Sequence, residues 1–212
     1  MSELFVKTLI VGDLQSNAYI VGCPATKTAV IIDPGAEGER ILDAVLAEGF
    51  KISHILLTHG HADHIGGAAA IRKATGAGVA IHAGDAPMLN DAALNLSFYF
   101  GKGCTAGPPD IELKNGDVIT VGEISLETRH TPGHTQGSVC FVGPGAVFSG
   151  DTLFAGSVGR TDFPGGSLQE LLRSVKNQLL TLPDETVVYP GHGPATTIGE
   201  EREGNPFLTA DW

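Results

Sequence analysis

The chain is poor in positive charge, in cysteine and in long apolar runs, and each shortage narrows what it can be. Only 13 lysines and arginines stand against 24 aspartates and glutamates in 212 residues, a formal charge of −11. The few cations are scattered, so the surface repels a phosphate backbone and nucleic acid is not expected as a partner. Three cysteines, Cys23, Cys104 and Cys140, are an odd number without C-x-x-C spacing. That argues against a disulfide framework and a thiolate zinc site, and the three read as small buried hydrophobes. No stretch approaches the roughly 18 unbroken apolar residues of a membrane span. Glu3 and Lys7 fall where a signal peptide needs an apolar core. A soluble, cytoplasmic protein without a membrane partner is the expectation.

What is present points to a compact globular protein. Hydrophobic residues make up 42% of the chain and charged ones 17%, enough apolar surface for a full core. The β-branched runs at 5–11, 17–22 and 28–32 read as consecutive antiparallel strands. Ile41, Leu42, Val45 and Leu46 form the apolar stripe of a helix, and a buried strand follows at 52–57. An alanine-rich helix over 65–74 leads to a strand at 78–82. Residues 91–109 dissolve into Asn, Gly and Pro around Phe98-Tyr99-Phe100, an excursion expected to pack rather than to act as a lid. Lys114-Asn115-Gly116-Asp117 reads as a hairpin turn. Strands at 118–121, 123–129, 137–142 and 146–149 then precede a helix with a capping box at Ser167 and Glu170. A strand at 186–189 and a helix opened by Thr197 and Glu200 complete the chain. Two mixed sheets packed face to face with helices outside bury this pattern, and no linker divides residues 1–212 into separate domains.

Histidine is the informative residue. Of eight in the chain, His59, His61 and His64 fall within six positions, in Thr58-His59-Gly60-His61-Ala62-Asp63-His64 between a buried strand and a helix. His59 and His61, two apart, can point the same way from extended backbone, whereas Asp63 and His64 at the helix entrance point elsewhere. One loop can thus feed two adjacent metal positions. Strand ends in the second half add His134 in TPGHT, Asp151 in SGDT and His192 in PGHG, each beside glycine. Asp33, in an Asp-Pro-Gly turn, either shapes that turn or accepts a ligand histidine's second N–H. His54 and His130 read as core or supporting groups, and His82 has no motif around it.

THGHADH, TPGHT, GDTLF and GHG, in this order, resemble the metallo-β-lactamase superfamily over nearly the whole chain. GDTLFAGSVGRTDFPGG and the ending GHGPATTIGEEREGNPF are similar to the short glyoxalase II-like hydrolases. The resemblance implies an α/β (α+β) fold, a four-layer αββα sandwich with the site at one edge between the sheets. It assigns His59, His61 and His134 to a first metal and Asp63, His64 and His192 to a second, with Asp151 bridging. Seven ligands with a shared carboxylate and a shared water suit two divalent cations with open positions. Zn²⁺ fits these nitrogen and oxygen donors, as do Fe and Mn. Such a pair would acidify the shared water and polarise a carbonyl, with Asp63 or Asp151 orienting the hydroxide. A thiolester such as S-lactoylglutathione is the implied small-molecule substrate, because its thiolate leaves readily.

SVGRTDF also looks like the persulfide dioxygenases of the same superfamily, which bind a single iron through positions matching His59, His134 and Asp151. The ending favours the hydrolase. Asp151 stands where the common secreted β-lactamases use cysteine, which argues against that activity. Only 20 residues follow His192, so the C-terminal helical domain of full-length glyoxalase II relatives, and its glutathione contacts, are not expected. Arg160, nine residues beyond Asp151 in a glycine-rich loop, either pairs with Asp162 or grips a substrate carboxylate.

Overall fold

In the computed structural model, which describes residues 3–101 and 103–209, two six-stranded sheets lie face to face. The first opens with antiparallel Phe5–Val11 (β1), Ser16–Cys23 (β2) and Thr28–Ile32 (β3). Helix Gly38–Ala47 (α1) carries the chain back, so that Lys51–Leu56 (β4) runs parallel to β3. Two short helices, Ala62–Ile65 (α2) and Ala68–Thr75 (α3), lead to Gly78–His82 (β5), and Ile111–Leu113 (β6) closes the sheet in parallel beside it.

The second sheet takes Val118–Val121 (β7), Ile124–His130 (β8), Val139–Gly143 (β9) and Ala146–Gly150 (β10). A two-stranded ribbon, Leu153–Phe154 (β11) with Ser157–Val158 (β12), precedes helix Leu168–Ser174 (α4), which continues as a wider π-type turn over Val175–Leu179. Val187–Pro190 (β13) then pairs in parallel with β10, and Thr196–Thr197 (β14), Ile198–Gly204 (α5) and Pro206–Thr209 (α6) end the described chain. The strand orders are β1-β2-β3-β4-β5-β6 and β14-β13-β10-β9-β8-β7.

Side-chain alternation along the strands divides the interior into three cores. Ile20, Ile31 and Ile55 point outward under Ile41, Val45 and Ile71 of α1 and α3. Their neighbours Tyr19, Val21, Val30, Ile32 and Leu56 point inward onto Leu126, Phe141 and Phe148 of the second sheet. Cys140, Val147 and Val188 face the far side, against Leu171, Val175 and Ile198. The layers are therefore αββα, as expected. Because central strands are covered on both faces, they read in sequence as unbroken apolar runs. All three cysteines are free; Cys23 and Cys140 are buried and Cys104 half-buried. Among the described residues no helix is long and apolar enough to cross a membrane.

The structure corrects the sequence reading at the 114–117 turn and at the 65–74 helix. The turn over residues 114–117 has the expected local chemistry, with the Lys114 N–H donating to Asp117 Oδ2 at 2.8 Å. It is no hairpin, however, because β6 pairs with β5 while β7 pairs with β8, so the turn carries the chain from one sheet to the other. The single helix expected over 65–74 is two, broken at Gly66-Gly67 where the Pro34-Gly35 turn packs against the backbone. The 91–109 excursion is knitted together by buried Asn95, whose Nδ2 donates to the carbonyls of Met88 and Cys104, both at 2.9 Å. Phe98 and Tyr99 remain on its surface.

Phe141 is fully buried between the sheets. Phe141→Ala should cost about 3–5 kcal/mol of unfolding free energy, read from the urea midpoint. A loss under about 1 kcal/mol would mean the inter-sheet core is not close-packed there.

Candidate metal centre

Four strand ends deliver the site to one edge of the sandwich. His59, His61, Asp63 and His64 follow β4, while His134 follows β8, Asp151 follows β10 and His192 follows β13. The seven candidates, four from the first sheet and three from the second, thus meet where the sheets abut. His59, His61 and His134 offer ligand atoms within 4.8 Å of one another, and so do Asp63, His64 and His192. Asp151 lies between the two groups. Its Oδ1 is 3.4 Å from His64 Nε2, and its Oδ2 is 3.6 Å from His134 Nε2 and 3.8 Å from His192 Nε2.

Hydrogen bonds on the outer side of the rings decide which nitrogens face inward. Asp33 accepts from the Thr58 N–H at 2.7 Å and the Thr58 hydroxyl at 2.5 Å. Having given its only proton to Asp33, Thr58 Oγ1 can only accept from His59 Nδ1, 3.1 Å away, which leaves the His59 Nε2 lone pair pointing in. Asp33 Oδ2 also takes the Nδ1–H of His64 at 3.0 Å, and the Arg160 carbonyl takes the Nδ1–H of His134 at 2.7 Å. Asp33 therefore does more than shape its turn: it orients two of the candidate ligand histidines. Gly35 in the same turn is a glycine because a Cβ there would stand against the carbonyl of Asp63.

Buried polar atoms are normally paired, yet His59 Nε2, His64 Nε2 and Asp151 Oδ1 have no hydrogen-bond partner. Three orphaned polar atoms on two imidazoles and a carboxylate, one from each candidate group and one from the Asp151 between them, fit divalent cations. Electrostatics agree. Burial, with His64, His134 and His61 nearby, holds His59 well below the usual histidine range. Burial, with His134 and His64, lowers His61 to about 3. Both are then neutral ligands at pH 7. At His64 burial opposes protonation, but Asp63, Asp151 and Asp33 overcome it and push the pKa up to about 10. Protonated there at pH 7, His64 would release that proton on binding a metal.

Several residues that the sequence reading missed hold the ligands. Ser16 Oγ donates to Asp63 Oδ2 at 3.1 Å, the same oxygen that lies 3.1 Å from His192 Nε2. Asn17 Nδ2 donates to the carbonyls of Pro190 and Gly193 at 3.0 and 2.9 Å, and the Tyr19 hydroxyl to that of Pro190 at 2.6 Å, fixing the His192 loop. Glu201, buried in α5, accepts from Gly156 N at 2.9 Å and Thr196 Oγ1 at 2.7 Å, which ties the chain's ending to the loop beyond Asp151. None of these carries a local motif, since each acts on a loop far away in sequence. His130 stacks on His82 with ring centroids 4.1 Å apart and pairs with the Gln136 carbonyl, and His54 is half-buried in β4.

Of the two roles open to Arg160, the structure displays the ion pair. Its Nε and Nη2 reach Asp162 Oδ1 and Oδ2 at 2.7 and 2.6 Å, and its guanidinium lies 4.0 Å over the Phe163 ring, which stands edge-on to His61.

If Asp33 orients His64 and, through Thr58, His59, then Asp33→Asn should weaken metal binding about 10- to 100-fold in a chelator-competition titration. Unchanged affinity would remove Asp33 from ligand support.

Comparison with known proteins agrees with this architecture. The sequence profile of the metallo-beta-lactamase superfamily matches residues 11–192. A probable metallo-hydrolase of Bacillus subtilis, YqgX, is 41% identical over 201 residues, 93% of this chain and 94% of its own. The hydroxyacylglutathione hydrolase GloC of Haemophilus influenzae is 36% identical over 188 residues, 87% and 89% of the two chains. Among solved structures, the BLEG-1 B3 metallo-beta-lactamase is 42% identical with a TM-score of 0.93, covering 97% of this chain and all of its own. TTHA1623 in a di-iron-bound form is 40% identical at a TM-score of 0.83, covering 95% and 100%. ETHE1 from Myxococcus xanthus is 34% identical at 0.80, covering 95% and 83%. With its fold, its edge-on His/Asp cluster and these relatives in agreement, the chain belongs to the metallo-beta-lactamase superfamily.

Proposed function

We propose that the protein is a binuclear metal-dependent hydrolase that cleaves a thiolester such as S-lactoylglutathione. The observation that carries this reading is the pair of adjacent three-ligand groups with Asp151 between them and three buried lone-pair atoms left unpaired. His59, His61 and His134 would hold one cation, Asp63, His64 and His192 the other, and Asp151 would bridge. Bound there, two divalent cations, Zn²⁺ or Fe by donor type, would supply Lewis acidity for a nucleophilic water and for the attacked carbonyl.

The remaining work falls to the chain's own residues. Asp63 is oriented by Ser16 and His192 through one oxygen, and it lines up the attacking water and takes its proton. Burial acts to raise its pKa, but His64 and His192 beside it hold the carboxyl below the usual carboxylate range, so it is ionised at neutral pH and able to accept from that water. Asp151, between the two groups, orients the same water. Water adds to the thiolester carbonyl, the C–S bond breaks, and a carboxylic acid and a thiol leave. The 36% identity to GloC supports a hydroxyacylglutathione-type substrate.

A second reading, oxygen-dependent persulfide oxidation on a single iron, has support in the 34% identity to ETHE1 from Myxococcus xanthus. The likeness to BLEG-1 adds a β-lactam to the substrates worth assaying. We expect S-lactoylglutathione cleavage without oxygen uptake, lost on chelation and restored by added metal. Asp63→Asn should lower kcat by about 10²- to 10⁴-fold with the circular dichroism spectrum unchanged. Stoichiometric oxygen uptake with glutathione persulfide, and no thiolester cleavage, would assign the protein to the dioxygenases instead.

Arg160 stands at the mouth of the site as the group that would meet a substrate carboxylate. Because that carboxylate must displace Asp162 from an exposed pair, Arg160→Ala should reduce kcat/KM for an anionic thiolester by no more than about fivefold. A loss beyond about 30-fold, with metal content intact, would show a desolvated contact in the substrate complex.

A further inference from the structure

One buried carboxylate gathers the loops of the three-histidine group without belonging to it. Asp85, in the turn after β5, is 1% exposed. Its Oδ2 accepts the Gly60 N–H at 3.0 Å and the Thr135 hydroxyl at 2.7 Å, and its Oδ1 accepts the Gly137 N–H at 2.7 Å. Gly60 is the residue between His59 and His61, and Thr135 directly follows His134. The three donors therefore come from both loops that supply the group, one leaving each sheet. Each loop is bare at its point of closure. A Cβ on Gly137 would stand 2.6 Å from Asp85 Oδ1, and one on Gly60 2.6 Å from the Cβ of Met88 in the turn that follows Asp85.

We propose that Asp85 is the positioning residue for the three-histidine metal position: by clamping the Gly60 and Thr135–Gly137 backbones to one another it sets the separation of His59 and His61 from His134. An acceptor-only carboxylate is the group the place requires. Three donors converge on two oxygens, and an amide of the same shape would turn an NH₂ toward either the Gly137 N–H or the Gly60 N–H. The clamp acts through backbone amides, so it constrains where the rings start rather than which tautomer they carry. Ligand constellations tolerate only about 0.5 Å of misplacement, and the two loops share no strand. A link across the sheet junction is therefore the natural means of holding them.

This inference rests on reading the histidines as a metal position, and the test separates the two. Zn²⁺ affinity is measured by chelator competition in wild type and in two single-position backgrounds. His192→Ala leaves the three-histidine position, and His61→Ala leaves the other. Added to the His192→Ala background, Asp85→Asn should weaken binding about 10- to 100-fold. Added to the His61→Ala background it should change affinity by less than about threefold. Thr135→Val, which removes one donor of three, should weaken the three-histidine position alone by a smaller factor, and decides the matter if Asp85→Asn fails to fold. Equal losses in both backgrounds would make Asp85 a general fold residue, and no loss in the first would leave it without a role in binding; either result overturns the proposal. If wild type itself binds no metal, the reading of the site fails first and this inference with it.

Discussion

The arrangement of the whole site hangs on three aromatic rings packed between the sheets beneath it. Phe148 of β10 stacks on Tyr189 of β13 at 5.2 Å, and Tyr19 of β2 stands edge-on to both, at 5.3 and 5.5 Å. Such clusters combine large apolar burial with a fixed geometry. Phe148 lies three residues before Asp151 and Tyr189 three before His192, so the cluster sets the height at which two of the ligand strands end. Tyr19 adds a polar handle, donating from its hydroxyl to the Pro190 carbonyl. Register at the edge of the sandwich therefore follows from packing in its middle, where a slip of one residue would turn each ligand strand's side chains to the wrong face.

Above that platform the problem is polar. Imidazoles and carboxylates crowded into a buried edge must each be paired or stand ready for a cation, because an unpaired buried polar group costs about 1–3 kcal/mol. The chain answers with a second layer of groups from elsewhere in the fold: Asp33 through Thr58 and His64, Asn17 on the His192 loop, Asp85 on the two loops of the three-histidine group. What this layer leaves unpaired is His59 Nε2, His64 Nε2 and Asp151 Oδ1 at the centre. The same division accounts for the chain's ending. Glu201 and Asn205 of the GEEREGN segment are wholly or nearly buried, and they reach Gly156 N and the Ser157 carbonyl in the loop that runs from Asp151 to Arg160. That stretch of sequence therefore braces the loop beyond Asp151.

The relatives are consistent with one scaffold serving several chemistries. A hydroxyacylglutathione hydrolase, a B3 metallo-beta-lactamase, a di-iron-bound protein and ETHE1 all align with most of this chain at 34–42% identity. Function in such a family resides in what borders the ligands rather than in the fold. Here those borders are Phe163 edge-on to His61, Phe154 edge-on to His192, and the exposed Arg160–Asp162 pair, whose guanidinium lies over Phe163. The hydrolase reading follows from the double ligand group and from the sequence around these residues taken together.

Local chemistry was legible in the sequence to the extent that it is local. The spacing of His59, His61, Asp63 and His64 separates them onto two groups because extended backbone and a helix entrance project side chains differently, and no distant contact is needed to see it. The strand–glycine pattern likewise marked His134, Asp151 and His192, and unbroken apolar runs marked the central strands. The 114–117 turn shows where this stops: its Asn-Gly chemistry is that of a hairpin, but which sheet each flanking strand joins depends on partners far along the chain. β6, three residues long, has too little pattern to announce itself. Asp85 follows a strand and a glycine just as Asp151 does, and its neighbours alone cannot tell a clamp from a ligand. Only the tertiary structure decides between them, because hydrogen-bond partners 25 to 52 residues away are brought within 3 Å by the packing of two sheets, a long-range condition that leaves no trace in local composition.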